Sequence, residues 1–572
     1  MDVQITINEQ TTDAEPGLSL FEHAERAGVH VPTSCLKQGK CRECIVEVVE
    51  GMERLSPRTE PEHHLSGGFR LSCQARVRED KGRVRCHTMR RGGMRIEHRA
   101  FGLPWQETSA QDAAASSLKA RNRTPAAPVV RGFMETIDPA VTREGDRVLI
   151  DGVEVERSTG PVLGLAMDLG TTTVVLRLLD LQTGELIADT SFENPQRFGG
   201  SDVMSRIHYD VTHHGRLLMR TLAGYLRHAI EEFPVDPKNI YEMVVVGNST
   251  MRDLFFRQSV YSIGQSPYRS ITEIEMMEGK RASTSLITTG LRSLLPIHPR
   301  ARVYGAPIIS GHVGADAAAC MLATNLARED RLIAIMDIGT NTELIVGNRH
   351  RVLAASCPAG PAFEGGSISC GMPALDGAIE DVTLRDDGTF QLGVIGDVAP
   401  VGICGSGLVD LLSELLRTGR MNEMGRFEDG ADRIVLDADR GITFSERDVS
   451  ELAQAKGANV AGLRVVLHNY GIDVDDIDVF YLAGGFGRNL KVEAARRIGL
   501  LPDLPKSKIV QAGNAAIEGA CLALLSISKR REMEELVKRV EHCRLETHPN
   551  FFDFFVDGCQ FRPLESASRV SG

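Results

Sequence analysis

Apolar and polar residues alternate at the start of the chain (Val3, Ile5, Ile7), the period of a half-buried strand. From Ser19 to about Ala27 the period becomes helical, with Ser19 and Glu22 forming a capping box and Gly28 closing the helix. A strand is predicted at Cys44 to Val49, and a final segment, Phe69 to Val77, carries Cys73. This order of strand, helix, loop and strand predicts a small α+β domain over residues 1–90. Gly92-Gly93, the Ala/Ser-rich stretch Ala113 to Ser117, Pro125 and Pro128 predict a linker over 91–130. A small middle segment is expected at 131–160. From 161 to 572 aliphatic strands end in Gly/Thr turns between helical patterns, a long one running from Asp202 to Glu232.

The later part contains an internal repeat. Leu163 to Asp168 leads into Asp168-Leu169-Gly170-Thr171-Thr172-Thr173, and Leu332 to Asp337 leads into Asp337-Ile338-Gly339-Thr340-Asn341-Thr342. A second apolar strand follows each, Val174 to Leu179 and Leu344 to Val346. One hairpin occurring twice, 169 residues apart, predicts a duplicated α/β fold with two facing lobes.

Size agrees with this division, because 572 residues exceed what one hydrophobic core supports. Apolar content of 42% and charged content of 25% are those of a soluble globular protein. Aromatic residues make up 5% with one Trp, which argues against a nucleic-acid stacking platform. A formal net charge of -12 disfavours phosphate backbones and anionic membranes. With neither a secretory signal nor a long apolar run, a cytoplasmic location is expected. In that reducing compartment clustered cysteines mean metal or redox chemistry, and five of the twelve lie in the first 86 residues.

Cys35, Cys41 and Cys44 are spaced C-x5-C-x2-C, and Cys73 follows after 28 residues. A 2Fe-2S cluster takes four thiolates, three in a tight loop and one distant. The first gap is one residue longer than the plant-type spacing, as in the adrenodoxin-type ferredoxins that this segment resembles. Gly39 allows the tight turns that aim backbone N–H groups at cluster sulfurs. A zinc site or four unrelated thiols are the alternatives; Cys86 is read as a plain thiol.

Each Asp-Leu/Ile-Gly-Thr hairpin suits a phosphate. Glycine allows close approach, turn amides and threonine hydroxyls donate, and the aspartate orients water on Mg2+. A third element, the strand Val479 to Leu482 running into Ala483-Gly484-Gly485-Phe486-Gly487, can lie flat against a purine or ribose. No Walker A pattern competes. With Gly405-Ser406-Gly407 before Leu408 to Leu416, and Gly513-Asn514 before Ile517 to Leu525, this order resembles the acetate and sugar kinase, heat-shock chaperone and actin superfamily (ASKHA). That resemblance implies actin-like, ribonuclease-H-like lobes around ATP and Mg2+. Gly170, Thr171, Thr172, Gly339, Thr340, Asn341, Gly484 and Gly485 would bind nucleotide, Asp168 and Asp337 would serve the metal, and Glu364 or Asp316 would polarise the attacking water. The ordinary alternatives are a helix N-cap for Asp316 and a solvated loop acid for Glu364.

A 2Fe-2S domain ahead of this module is similar to the reductive activators of corrinoid enzymes, as are Gly247-Asn248-Ser249-Thr250-Met251, Gly311-His312-Val313-Gly314-Ala315-Asp316 and Gly360-Pro361-Ala362-Phe363-Glu364-Gly365. The resemblance implies ATP-dependent passage of one electron from the cluster to Co(II), regenerating Co(I) for methyl transfer. Its partners would be the corrinoid protein of a methyltransferase system and a low-potential electron donor, with a homodimer possible. Cys521, Cys543 and Cys559 are too scattered for a further cluster. Two competing functions stay open: a small-molecule kinase with an appended redox domain, and a non-hydrolysing nucleotide-gated electron carrier. Arg76 to Arg99 holds nine Arg/Lys against three acids, a stretch suited to steering a partner or simply to solvation. Cys357, Cys370 and Cys404 are expected in the core, and the pairs His63-His64 and His213-His214 at the surface.

Overall fold

The computed structural model describes residues 4–78, 82–90, 137–485 and 490–565. The expected linker at 91–130 lies outside the described residues, as do residues 131–136, Phe486 and Gly487.

The N-terminal sheet contains β1 (Gln4–Ile7), β2 (Gln10–Asp13), β3 (Ile45–Glu50), β4 (Phe69–Leu71) and β5 (Arg83–Thr88), in the order β2-β1-β5-β3-β4. Helix α1 (Leu20–Arg26) packs beside it with Leu20, Phe21 and Ala24 buried, and the Ser19–Glu22 capping box is formed. Under the last cysteine lies a buried ion pair: Arg70 Nε donates to Glu62 at 2.7 Å, with exposures of 2% and 0%. The Glu62 carboxylate also accepts from the amides of Thr59 and Leu71, so it ties the 59–62 turn to the strand that delivers Cys73. Glu62→Ala strands a buried guanidinium, so a loss of about 3–5 kcal/mol is expected. Urea unfolding checks this, with iron content of the refolded chain as the second readout.

A three-stranded meander follows: β6 (Val141–Glu144), β7 (Arg147–Ile150) and β8 (Val153–Arg157). Val141, Val148 and Val155 join the core between the lobes, and Asp138 is held by the Ser526 and Ser528 hydroxyls.

The first lobe carries β9 (Leu163–Leu169), β10 (Thr173–Asp180), β11 (Leu186–Glu193), β12 (Ile240–Gly247), β13 (Leu286–Thr289) and β14 (Arg302–Gly305), ordered β11-β10-β9-β12-β14-β13. Its helices include α2 (Val203–Thr212), α3 (Leu217–Glu231), α4 (Ser249–Phe255) and α5 (Ala315–Ala323). The single helical pattern expected from Asp202 to Glu232 is therefore two helices. Gly215 and Arg216 both take left-handed backbone (φ +97 and +53) and reverse the chain.

The second lobe carries β15 (Ile333–Ile338), β16 (Thr342–Gly347), β17 (Val352–Cys357), β23 (Val479–Gly484), β24 (Ile509–Gly513) and β25 (Val540–His542), ordered β24-β23-β15-β16-β17-β25. Inserted between β17 and β23 are β18 (Ala378–Leu384), β19 (Phe390–Val394), β20 (Gly402–Ile403), helix α6 (Gly405–Arg417), the hairpin β21 (Arg433–Asp437) and β22 (Ile442–Ser445), and helix α7 (Glu446–Tyr470). Helix α8 (Ala515–Leu525) follows β24. In both lobes an antiparallel meander (β9-β10-β11; β15-β16-β17) extends from its first strand into two parallel strands (β12, β14; β23, β24), so the fold is duplicated. The alanine-rich helices α5 and α8 fill the space between the sheets. They meet so closely that a Cβ on Gly519 would stand 2.1 Å from the Ala319 carbonyl.

The cluster domain rests on α2 and α3. The Met89 amide donates to Tyr225 Oη at 3.0 Å, Tyr209 Oη donates to the His64 carbonyl at 3.2 Å, and the His30 and His228 rings stack 3.7 Å apart. His64, expected at the surface, is buried in this contact. Cys357 and Cys404 are buried and Cys370 partly so. Among the described residues no helix is long and apolar enough to cross a membrane.

Candidate functional site

Two sites emerge. The first is the loop from Cys35 to Cys44. Leu36, Lys37, Gly39 and Arg42 all take positive φ there, which winds the loop tightly enough to turn its amides inward. Cys35 accepts from the Gln38, Lys40 and Cys41 amides, and the Cys41 thiol donates to it; these contacts outweigh burial and lower its pKa. Cys44 donates to Cys73, which the Gln74 amide and the Gly39 N–H also approach. The Cys73 thiol is thereby lowered to about 6, while Cys44 is pushed well up by that same bond and by burial. The four thiols thus stand two by two, and among the described residues no three His, Cys, Asp or Glu side chains converge on one ion position. Two dithiol pairs under a cage of N–H donors fit a two-iron cluster better than one tetrahedral zinc. Cys86 faces the core, where burial pushes it up to about 12.

The second site is a cavity of about 190 Å³ between the lobes. The two hairpins meet across it. Thr172 Oγ1 and Thr340 Oγ1 lie 2.8 Å apart, and Glu364 accepts from both hydroxyls, at 3.1 Å from Thr172. Asp168, Asp316, Asp337, Gly170, Thr171, Gly339, Asn341, Gly484 and Gly485 also line the cavity. Gly484 (φ +101) passes so close to β15 that a Cβ would stand 2.3 Å from the Ile338 carbonyl, whereas a Cβ on Gly485 would meet nothing within 4 Å. The first glycine serves strand packing; the second leaves open space on the cavity wall, where a flat ligand has room. Glycine at 170 is required by the hairpin itself, since a Cβ would stand 2.9 Å from the Thr173 carbonyl.

The two ordinary alternatives for the acids do not hold. Gly314, not Asp316, is the N-cap of α5, and Asp316 faces the cavity from the first turn. Glu364 is not a solvated loop acid, because it bridges threonines of both lobes.

Burial of so many carboxylates has a cost. Asp168 is pushed up to about 7 by burial, with Asn514 opposing and Asp337 adding; Asp337 reaches about 6 and Asp316 about 8 by burial. Glu343 and Glu364 are raised too, again by burial first. Folding therefore holds protons that the unfolded chain releases near pH 4. The stability this represents is full below pH 4 and lost as pH rises through 6 to 8. The stability of the ligand-free protein is expected to fall by roughly 1.4 kcal/mol or more from pH 5.5 to 8.5, read as a lower melting temperature. Added Mg2+ with nucleotide should reverse the trend. A melting temperature that rises over the same window with no ligand added would sink this account.

Sequence reasoning missed four side chains of this site. Asn248 caps α4 through Met251 N and donates its amide to Thr171 Oγ1 at 2.9 Å; Asn514 caps α8 through Ile517 N and donates to Asp168 at 3.0 Å. A signal was present, since Gly247-Asn248 and Gly513-Asn514 repeat one Gly-Asn pair at a strand-to-helix junction. Cys320, whose thiol lies 3.4 Å from Asp337, and buried Glu343 carried none.

Residues 331–569 match the family model for the C-terminal domain of RACo, the ASKHA domain; residues 163–329 match the RACo middle region; and residues 3–78 match the 2Fe-2S iron-sulfur cluster binding domain. The chain is 32% identical to the corrinoid activation enzyme RamQ of Eubacterium limosum over 447 residues, 73% of each chain. It is 26% identical to the [Co(II) methylated amine-specific corrinoid protein] reductase of Methanosarcina barkeri over 69% of this chain and 76% of the relative. A solved reductive activator for a corrinoid, iron-sulfur protein superposes with a TM-score of 0.68 at 26% identity, covering 98% of each chain. The chain belongs to the family of reductive activators of corrinoid proteins.

Proposed function

We propose that this chain uses ATP to drive one electron from a 2Fe-2S cluster onto the Co(II) corrinoid of a partner protein, restoring the Co(I) state that accepts a methyl group. Residues 1–90 would be the electron port and 161–572 the ATP-binding module. The observation that carries this reading is the meeting of the two hairpins at Glu364, since a nucleotide entering there must part the threonines that hold the lobes together.

Cys35, Cys41, Cys44 and Cys73 would hold the cluster, which when bound supplies reversible one-electron storage at roughly -400 mV. Cobalt reduction is more demanding, and each 59 mV of uphill transfer costs about tenfold in the equilibrium. ATP can offset that only by favouring one arrangement of the lobes over another. Thr171, Thr172, Thr340 and the turn amides would donate to phosphate oxygens. Asp168 and Asp337 would hold Mg2+, and its charge would favour their ionised form. Glu364 would release the threonines and hold the attacking water, with Asp316 beside it.

The test mixes protein reduced photochemically through a neutral deazaflavin with a Co(II) corrinoid protein, under anaerobic conditions, and follows the cobalt spectrum. A Co(I) band that needs ATP is expected. Phosphate transfer to a small molecule, or Co(I) formation indifferent to nucleotide, would refute the proposal.

A further inference from the structure

Of the basic stretch that stands out in the sequence, three described arginines have carboxylate partners within the fold. Arg76 pairs with Glu22 at 3.8 Å, Arg85 with Glu50 at 3.9 Å and Arg90 with Glu232 at 2.7 Å. A second group of basic side chains gathers around a cavity. This cavity, of about 410 Å³, opens between the cysteine loop and the α2–α3 loop, lined by Lys40, Arg42, His214 and Arg220, with Glu60 the one lining acid among the described residues. Arg216 sits exposed between lining residues Gly215 and Leu217. Arg220 reaches Glu43 at 3.5 Å and Arg216 offsets part of the burial of the Asp210 carboxylate, but among the described residues Lys40 and Arg42 have no ion-pair partner. Like charge is already felt there, since burial and then Arg42 push His64 down to about 4.

The position of these charges is what gives them meaning. Lys40 and Arg42 flank Cys41 in the chain, so a group bound between them lies one residue from a cluster ligand. Beside the next ligand, Cys35, Leu36 is 86% exposed and held in left-handed backbone (φ +51). A bulky aliphatic side chain in that conformation gains nothing within this fold. It offers a dry contact of the kind that small, transient electron-transfer interfaces use at their centre. On a chain of net charge -12, Lys40 and Arg42, without ion-pair partners among the described residues and on the same loop as exposed Leu36, favour a partner whose own face is acidic.

We propose that this basin is the docking site for an acidic, protein-borne one-electron donor, a proposal that rests on the electron-transfer reading above. Carboxylates of the donor seat against Lys40, Arg42 and Arg216 while its apolar rim covers Leu36. One electron then leaves the reduced donor, which is oxidised by one unit, and converts the diferric site to its mixed-valence form. No bond forms or breaks and no proton moves. None of the residues lining the nucleotide cavity between the lobes belongs to the basin, so substitutions in the basin leave that cavity untouched.

The test uses the full chain with its cluster and, as probe, a small acidic bacterial ferredoxin. Calorimetry gives the Kd at low and high salt, and stopped-flow absorbance gives the rate of cluster reduction. Lys40→Glu with Arg216→Glu should weaken binding by about tenfold or more at low salt and slow reduction in parallel. For Arg216→Glu, reduction through neutral deazaflavin should be unchanged, as should the cluster spectrum. Arg216→Glu alone, remote from the ligands, should show part of the loss even if the double variant fails to fold. Arg76→Glu with Arg85→Glu should change the Kd by no more than about twofold. The basin is refuted if Lys40→Glu and Arg216→Glu bind the ferredoxin as the parent does, if Arg76→Glu and Arg85→Glu cause the larger loss, or if the corrinoid protein alone loses affinity. ATP-independent behaviour of the deazaflavin-reduced parent would fell the proposed function and leave this binding result standing.

Discussion

Cys73→Ser is expected to remove the visible absorption of the cluster and all electron uptake, while nucleotide binding to the lobes is unaffected. The four thiols are paired, Cys35 with Cys41 and Cys44 with Cys73, and each pair would serve one iron. Cys73, lowered to about 6, is the thiol of its pair that gives up its proton first; Cys44, pushed well up, requires the metal's charge to do so. Serine keeps the size but offers a harder, far less acidic oxygen to an iron that prefers sulfur. No rescue is at hand, because Cys86 lies between β1 and β3 with its thiol up at about 12. Cys86→Ala should leave the absorption intact and cost only core packing. Absorbance of the reconstituted proteins and the electron spin resonance signal after reduction read both variants. Retention of the signal in Cys73→Ser with its loss in Cys86→Ala would reverse the ligand assignment.

These cysteines were legible in the sequence for the same reason that the Ser19 capping box and the two Asp-Gly-Thr hairpins were. In each case the chemistry is written within a few consecutive residues, so spacing alone constrains it. The split between α2 and α3 was not legible, because Arg216 takes its left-handed turn with no glycine of its own, beside Gly215. His64 looked like a surface residue because its burial comes from Tyr209, 145 residues away. Asp138 fell in a small middle segment with no assigned role, and its partners Ser526 and Ser528 lie nearly 400 residues on. Glu364 lies between these extremes. Its segment was noted, but that its carboxylate touches both lobes depends on the relative placement of two sheets, which no local pattern encodes.

That placement makes Glu364→Gln the most informative change in the cavity. Its carboxylate accepts from Thr172 and Thr340, the same hydroxyls that would donate to phosphate, so it occupies an anion seat in the ligand-free protein. Burial raises its pKa, with the threonine bonds and distant Arg206 opposing. A neutral amide of the same shape keeps the bridge through its carbonyl oxygen and removes repulsion towards the incoming phosphates. Tighter ATP binding is expected, roughly tenfold, from the loss of one like charge in a partly dry cavity. Hydrolysis should move the other way, because the amide cannot take a proton from water; a fall in kcat of about 10²–10⁴-fold is expected. Opposite changes in Kd and kcat separate a group that competes with phosphate and later serves the water from one that only latches the lobes. A pure latch predicts unchanged kcat. Asp316→Asn gives the comparison. Asp316 is raised to about 8 and is mostly neutral at pH 7 already, so its amide should cost hydrolysis much less unless Asp316, rather than Glu364, holds the water.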